Sequence, residues 1–229
     1  MLYGPLLWLK KKGFKAYLVG NQVRAILLKK EDEPSDIDIA TTALPGETLA
    51  VLRREKIIPT FVDSKFGVVD FVWAGINFSI TTLREDIYSN KELARFKRYP
   101  SQVRFVKELK KDALRRDLTI NAIYYDPVSS RFFDPTKGLS DWRRKMIRVV
   151  GDPQRRFEED PLRILRAIRF KNSLGFRYHP KTLTALQTKG YLVRTLPPRV
   201  RAKELLKIKE SPHFQEALKE IREFGIFQS

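Results

Sequence analysis

The stretch Ser35-Asp36-Ile37-Asp38-Ile39-Ala40 alternates acidic and apolar side chains. On a β-strand successive side chains point to opposite faces, so residues two apart share a face. Asp36 and Asp38 are therefore expected to project together while Ile37 and Ile39 enter the core. Two carboxylates on one face repel each other unless a cation sits between them. Mg²⁺ is the natural choice, a hard ion with oxygen ligands that is usually shared with substrate phosphates. A lone D-x-D also suits an edge strand with a polar outer face, so the surrounding sequence has to decide.

Upstream, Leu18-Val19-Gly20-Asn21-Gln22-Val23-Arg24 reads as a strand end, a glycine turn and a helix start. Backbone N–H groups at such a turn can hold phosphate oxygens, and Arg24 can add a charge-assisted contact. Lys15 to Val19 and Ile37 to Ala40 are expected strands, with a helix over Val23 to Leu28 between them. Strand, phosphate-binding turn, helix and D-x-D strand together describe a site for nucleotidyl transfer.

Further along, Val68 to Trp73 and Ile76 to Thr81 are expected strands joined at Ala74-Gly75 as a two-residue hairpin. Arg84 to Ser101 is polar and poorly periodic, which predicts a mobile loop. A helix is expected over Val103 to Arg115. After Gly151 strand signals stop, and helices are expected at 153–173, 180–188, 198–209 and 212–223, punctuated by Gly190 and Pro197-Pro198. The organisation is α+β over residues 1–150 followed by an all-α segment over 151–229.

Composition agrees with a packed protein that handles polyanions. The chain has 229 residues with 42% hydrophobic side chains, enough for a core, so chronic disorder is excluded. With no Cys and two His, a disulfide scaffold, a thiolate metal site and a His-rich metal site are excluded. No window approaches the roughly 18 apolar residues that span a bilayer. The longest uncharged run, Phe71 to Leu83, contains Gly, Asn, Ser and Thr. The apolar patch Leu2 to Leu9 precedes Lys10-Lys11-Lys12, the reverse order of a signal peptide. A cytoplasmic protein with no membrane partner is expected. Lys and Arg number 45 against 27 Asp and Glu, a formal charge of +18. Positions 161–207 hold 12 basic residues and one acidic residue, Glu204. A solvated face normally mixes signs, so this run favours a phosphate-tracking surface.

Taken in order, these segments resemble the class II tRNA nucleotidyltransferases, the family of CCA-adding enzymes and bacterial poly(A) polymerases. The resemblance runs through Tyr17 to Ala25, Ser35 to Ala43, and Thr81-Thr82-Leu83-Arg84. It continues through Arg115-Arg116-Asp117-Leu118-Thr119-Ile120-Asn121-Ala122 and through Glu159-Asp160-Pro161-Leu162-Arg163 to Phe170. It implies a polymerase-β-like nucleotidyltransferase head and an all-α neck, the chain ending before the body and tail domains usual in the family. A homo-oligomer or a partner protein would then supply what those domains do. The implied partners are the acceptor end of tRNA, with CTP and ATP as substrates and Mg²⁺ as cofactor. The implied activity is template-independent addition of CCA, or of its terminal A. An A-adding specialist and a poly(A) polymerase share the catalytic motifs, and a non-catalytic RNA-binding relative is the alternative of a different class.

Carried over position by position, the resemblance implies that Asp36 and Asp38 bind Mg²⁺. Gly20 and Asn21 form the turn, Arg24 and Arg116 bind the nucleotide, and Asp117 and Asn121 shape its pocket. Asp160, Arg163, Arg166 and Arg169 belong to the nucleotide-selecting helix. Asp160 and Arg163 are three apart, hence neighbours on a helix surface. One accepts hydrogen bonds and the other donates. Cytosine and adenine each present an amino donor beside a ring-nitrogen acceptor, whereas uracil and guanine present the reverse. A buried mismatch costs roughly 1–3 kcal/mol per group, so an Asp–Arg pair can choose C and A without a template. Asp160-Pro161 is equally a good helix start, with Asp as N-cap. Successive three-residue steps turn about −60°, so Arg166 and Arg169 are assigned to positioning, triphosphate or RNA contact.

Three positions depart from the family pattern. Asn21 stands where a second glycine is usual, and it is expected to tolerate a left-handed backbone. Ala25 replaces an Asp that helps fix the motif Arg, so Arg24 is expected to be held less tightly. Ser79 replaces a Glu that serves as a third carboxylate. In the hairpin register set by Ala74-Gly75, Asp70 lies directly opposite Ser79 and shares its face. Asp70 is therefore expected to supply the missing catalytic carboxylate, the alternative being an exposed Asp beside an unused site.

Overall fold

The structure is a computed structural model, and it describes residues 2–29, 36–88 and 99–227. The chain divides into two compact units. The first comprises Met1–Asp86, Val103–Arg115 and Asn121–Thr136, and the second comprises Ile87–Gln102, Arg116–Ile120 and Lys137–Ser229. The principal division thus falls at Thr136, ahead of the composition change at Gly151. Residues 137–150 join the second unit because their apolar side chains pack there. Ile147 and Val149 are buried in its core, and Trp142 meets Phe176 edge-on at 5.3 Å.

The first unit begins with α1 (Gly4–Lys11), which has Pro in its first turn and buries Leu6 and Leu9. The initial apolar patch is therefore a core-facing helix. Then come β1 (Ala16–Val19), α2 (Asn21–Leu27), β2 (Asp36–Thr41) and α3 (Pro45–Arg54). At the start of α3 the Glu47 carboxylate accepts the Leu44 backbone N–H at 2.7 Å, satisfying a donor that the helix leaves unpaired. They are followed by β3 (Phe61–Asp63), β4 (Val68–Trp73), β5 (Ile76–Thr82), β6 (Arg84–Ile87), β7 (Gln102–Phe105) and α4 (Leu109–Arg115). After them come β8 (Tyr124–Asp126) and β9 (Arg131–Phe133).

Seven strands form one sheet in the order β3-β4-β5-β2-β1-β8-β9. The pair β2–β5 is parallel, and the other neighbours run antiparallel. The strand carrying the D-x-D is therefore central, paired on both sides. The hairpin forms as expected, with Ala74 at φ 51° and Gly75 at φ 78°. Positive φ at both central residues matches the twist of the strands and sets the register. Asp70 pairs with Ser79, as the turn length required.

Two expectations need correction in this unit. The helix expected over Val103 to Arg115 begins only at Leu109, and Gln102–Phe105 is the strand β7, paired with β6 in a two-stranded sheet. The Val103-Arg104-Phe105 alternation has the strand period and overrides the helical signal. Arg84 to Ile87 is a strand where a loop was expected, and residues 89–98 of that expected loop lie outside the described residues.

The second unit contains α5 (Gly138–Arg143), β10 (Met146–Ile147), α6 (Pro153–Glu159), α7 (Leu162–Leu174), β11 (Arg177–Tyr178), α8 (Pro180–Lys189), α9 (Pro198–Lys209) and α10 (Phe214–Glu223). It is helical apart from β10 and β11, which pair in parallel over two residues each. The single helix expected over 153–173 is broken at Asp160, whose φ −149° and ψ 98° are extended. Pro161 forces this, since proline disfavours helical geometry in the residue before it. Gly190 is required by packing: a Cβ there would lie 2.0 Å from the Phe224 carbonyl oxygen. Among the described residues no helix is long and apolar enough to cross a membrane.

Candidate active site

In the first unit the site is built on β1, β2 and the turn between β1 and α2. Ile37 and Ile39 are fully buried, at 0% and 1% exposure. Asp36 and Asp38 occupy the alternate face of β2, Asp36 exposed and Asp38 half-buried. Val19, the last residue of β1, pairs with Asp38, and that register brings the following glycine turn beside the second aspartate. Gly20 has φ 66° and ψ −123°, a conformation open to glycine alone. A Cβ at this position would fall 2.8 Å from Asp38 Oδ2. The backbone angle therefore demands glycine, and a side chain here would also displace the Asp38 carboxylate.

Asn21 is the first residue of α2 and helical, so the left-handed conformation expected of it is not taken up. Its Oδ1 instead accepts a hydrogen bond from Arg24 Nη2 at 3.4 Å. Arg24 Nη1 donates to Asn121 Oδ1 at 2.6 Å. Two amide oxygens thus help orient the guanidinium. Asn121 is itself buried, which gives this contact a fixed anchor.

Ser79 lies beside Asp38 on one side and Asp70 on the other, in one registered row across β2, β5 and β4. The Ser79 hydroxyl donates to Asp70 Oδ1 at 2.6 Å. Asp70 therefore faces as expected but stands two strands from Asp38, linked through the serine. Among the described residues no group of three or more His, Asp or Glu side chains is placed to hold an ion by itself. Two aligned carboxylates fit a hard divalent cation that takes its remaining oxygen ligands from a phosphate substrate and water. A cavity of about 480 Å³ lies elsewhere in this unit, lined by residues such as Phe14, Lys15, Leu44 and Phe105. None of the expected site residues lines it.

In the second unit the expected nucleotide-handling residues lie on two segments, 116–117 and 160–169. Asp117 is buried; its Oδ1 accepts the Leu118 N–H at 2.7 Å and its Oδ2 accepts Arg166 Nε at 2.5 Å. The Asp117 carboxylate pushes the Arg166 pKa up against the effect of burial, so this guanidinium is held cationic. Asp160 does cap the helix: its Oδ1 accepts the Leu162 N–H at 3.1 Å. Arg163 is buried at 5% exposure. Its Nη1 donates to Glu159 Oε2 at 3.2 Å and to the Arg156 carbonyl at 2.9 Å. The guanidinium is thus anchored on its inner side by Glu159 and the Arg156 carbonyl. Arg169 pairs with Glu204 at 2.9 Å and lies over the Phe170 ring at 4.4 Å. Burial lowers the Arg169 pKa, and Glu204 opposes that. The lone acid of the basic run is thus spent on one arginine of α7.

Two residues here had no role assigned from the sequence. Glu159 accepts from Arg155, Arg156 and Arg163, and Arg156 binds the main chain of Arg116. The only signal for Glu159 was its place directly before Asp160. Arg156, an arginine beside the buried Phe157, carried none.

The sequence profile of the poly A polymerase head domain matches residues 16–148. The CCA-adding enzyme of Geobacillus sp. (strain WCH70) is 37% identical over 226 residues, covering 98% of this chain and 52% of that protein. The CCA-adding enzyme of Bacillus pumilus (strain SAFR-032) is also 37% identical, over 211 residues, which is 92% of this chain and 50% of the relative. Among solved structures, the Bacillus stearothermophilus CCA-adding enzyme in complex with CTP matches with a TM-score of 0.83 and 34% identity, over 97% of this chain and 51% of the other. The Thermotoga maritima CCA-adding enzyme complexed with tRNA matches with a TM-score of 0.75 and 28% identity, over 98% of this chain and 50% of the other. The chain thus spans about half the length of the curated relatives it matches.

Proposed function

Because the chain belongs to the poly(A) polymerase head-domain family, we propose that it transfers nucleotidyl groups, without a template, from CTP and ATP to the 3′ end of a tRNA. The product is CCA, or its terminal A. The observation that carries this reading is the closing of the Gly20 turn onto Asp38, on the strand that presents Asp36 on the same face. Backbone N–H groups at a turn that opens a helix suit phosphate oxygens, and the two carboxylates suit the cation that accompanies a triphosphate.

Asp36 and Asp38 would hold Mg²⁺, which when bound lowers the pKa of the attacking 3′-hydroxyl and neutralises charge on the triphosphate. Arg24, oriented by Asn121 and Asn21, would bind phosphate oxygens and offset their negative charge as the leaving pyrophosphate departs. Arg116 would add a second cationic contact. Asp117, locked to Arg166, would keep that segment in place. Asp160 and Arg163 would read the base by acceptor and donor. The anchoring of Arg163 by Glu159 and the Arg156 carbonyl supports this, because a fork with a fixed plane discriminates better than a mobile one. The exposed basic residues of 161–207, among them Lys181, Arg199, Lys203 and Lys207, would hold the acceptor arm through its shape and phosphates.

Asp36→Asn and Asp38→Asn remove one charge each at nearly unchanged volume. Incorporation of labelled CTP or ATP into tRNA should fall on the order of a hundredfold or more, the scale for losing a charge-stabilising group. The melting temperature of each variant, measured alongside, separates loss of activity from loss of folding. Undiminished incorporation in both variants would overturn the assignment.

A further inference from the structure

Arg156, the fourth residue of α6, belongs to none of the nucleotide-handling motifs, yet three of their residues meet on it. Its Nη1 donates to Glu159 Oε2 at 2.5 Å, and its Nη2 donates to the Arg116 carbonyl oxygen at 3.0 Å. Its own carbonyl oxygen accepts the Asp160 N–H at 3.3 Å and Arg163 Nη1 at 2.9 Å. The same Glu159 oxygen also accepts Arg163 Nη1 at 3.2 Å. One residue therefore touches the main chain of Arg116, the main chain of Asp160 and the guanidinium of Arg163.

The chemistry of this arrangement is particular to arginine. The side chain is 11% exposed, and burial, with the neighbouring Arg163 charge, lowers its pKa. Burying a guanidinium is costly, and a hydrophobic residue of similar volume often serves stability as well or better. What a hydrophobic residue cannot do is hold two acceptors at a set separation. The planar fork offers parallel N–H groups to a carboxylate and a carbonyl at once, whereas a lysine ammonium is a point donor on a flexible stem. The two acceptors belong to segments 40 or more residues apart in sequence.

We propose that Arg156 is a positioning residue for base selection: it sets the spacing between the Arg116-Asp117 segment and the Asp160 and Arg163 base-reading pair. The inference rests on the reading of Asp160 and Arg163 as the base-selecting residues. Its consequence is that the preference for cytosine over uracil depends on a side chain that touches neither base. A small shift of the donor and acceptor relative to the bound nucleotide weakens the matched hydrogen bonds and relaxes the mismatch against uracil.

The test is equilibrium binding of CTP and of UTP, each with Mg²⁺, to the full chain and to its Arg156→Lys, Arg156→Gln, Arg163→Ala and Arg155→Lys variants, alongside their melting temperatures. Arg155 serves as the control, since it also pairs with Glu159 but is 65% exposed. The CTP-to-UTP preference should fall about tenfold in Arg156→Lys, the scale of one well-placed hydrogen bond to a charged group. It should fall at least as far in Arg163→Ala and stay at the wild-type value in Arg155→Lys. Should Arg156→Gln fail to fold, the lysine variant, which keeps the charge beside Glu159, decides. An unchanged preference in Arg156→Lys, with only the melting temperature lowered, overturns the proposal and leaves Arg156 a structural residue. Loss of preference in Arg156→Lys but not in Arg163→Ala overturns it too, because the effect then bypasses the base-reading pair. Equal binding of CTP and UTP by the wild-type chain defeats the underlying base-selection reading instead.

Discussion

Gly20 stands so close to Asp38 that a Cβ on the glycine would lie 2.8 Å from the aspartate Oδ2. The backbone at Gly20, with φ 66° and ψ −123°, excludes a side chain independently. Gly20→Ala should therefore cost about 1–3 kcal/mol of stability, the scale for a residue held in a forbidden backbone region. It should also displace Asp38 and lower nucleotidyl transfer more than the stability loss explains. Wild-type activity and melting temperature in this variant would show that the turn does not press on the carboxylate.

Asn121 holds Arg24 through a 2.6 Å hydrogen bond. Asn121→Ala removes that acceptor while the longer contact to Asn21 is retained. The expected outcome is a rise of about tenfold in the KM for the nucleotide, the scale for a hydrogen bond to a charged group, with a smaller change in kcat. Steady-state kinetics with CTP and with ATP check it. An effect on kcat alone would place Arg24 in the transition state rather than in nucleotide binding.

Asp70 is joined to Ser79, and Ser79 lies beside Asp38 in the sheet register. Asp70→Ala should reduce Mg²⁺-dependent turnover by about tenfold or more through loss of negative charge near the site. Ser79→Ala, which keeps the charge but removes the link, should have the smaller effect. A Mg²⁺ titration of turnover in both variants separates them. Unchanged turnover in Asp70→Ala would remove this aspartate from the site.

His179 provides a stability prediction unconnected with catalysis. Burial, reinforced by the Arg148 guanidinium, holds its imidazole below the ordinary value of 6.5. The unfolded chain then binds this proton more readily than the folded one. Stability contributed here is present above the ordinary pKa and is lost as pH falls through it toward the lower folded value. His179→Gln should flatten the decline of melting temperature as pH falls below the ordinary imidazole value of 6.5. An unaltered slope would contradict the assignment.

The strand that carries Asp36 and Asp38 was legible because the two-residue period of a strand is strict. Asp36 and Asp38 could only share a face, and Ile37 and Ile39 could only be buried. The Asp70–Ser79 pairing was legible for a similar reason, since a two-residue turn leaves one register. Arg163 was not legible. Helical spacing put it on the surface beside Asp160, but Pro161 interrupts the helix, and Glu159 draws the guanidinium into the interior. Nor was Asn21, because one positive φ at Gly20 completes the turn and lets the next residue be helical. The contacts of Arg156 join segments far apart in sequence, and no local pattern announces them. Glu204 looked anomalous in a basic run, and it took the packing of α9 on α7 to give it Arg169 as partner.

The central claim is tested most directly by single-nucleotide incorporation. One tRNA transcript ends at the discriminator base and another already ends in CC. Each is incubated with the protein, Mg²⁺ and labelled CTP, ATP or both. The account predicts ordered addition of C, C and A that then stops, or addition of a single A to the CC-ending transcript alone. A long ladder of A would instead make the protein a poly(A) polymerase. Absence of incorporation on both transcripts, with RNA binding retained, would contradict the account and leave a non-catalytic RNA-binding relative.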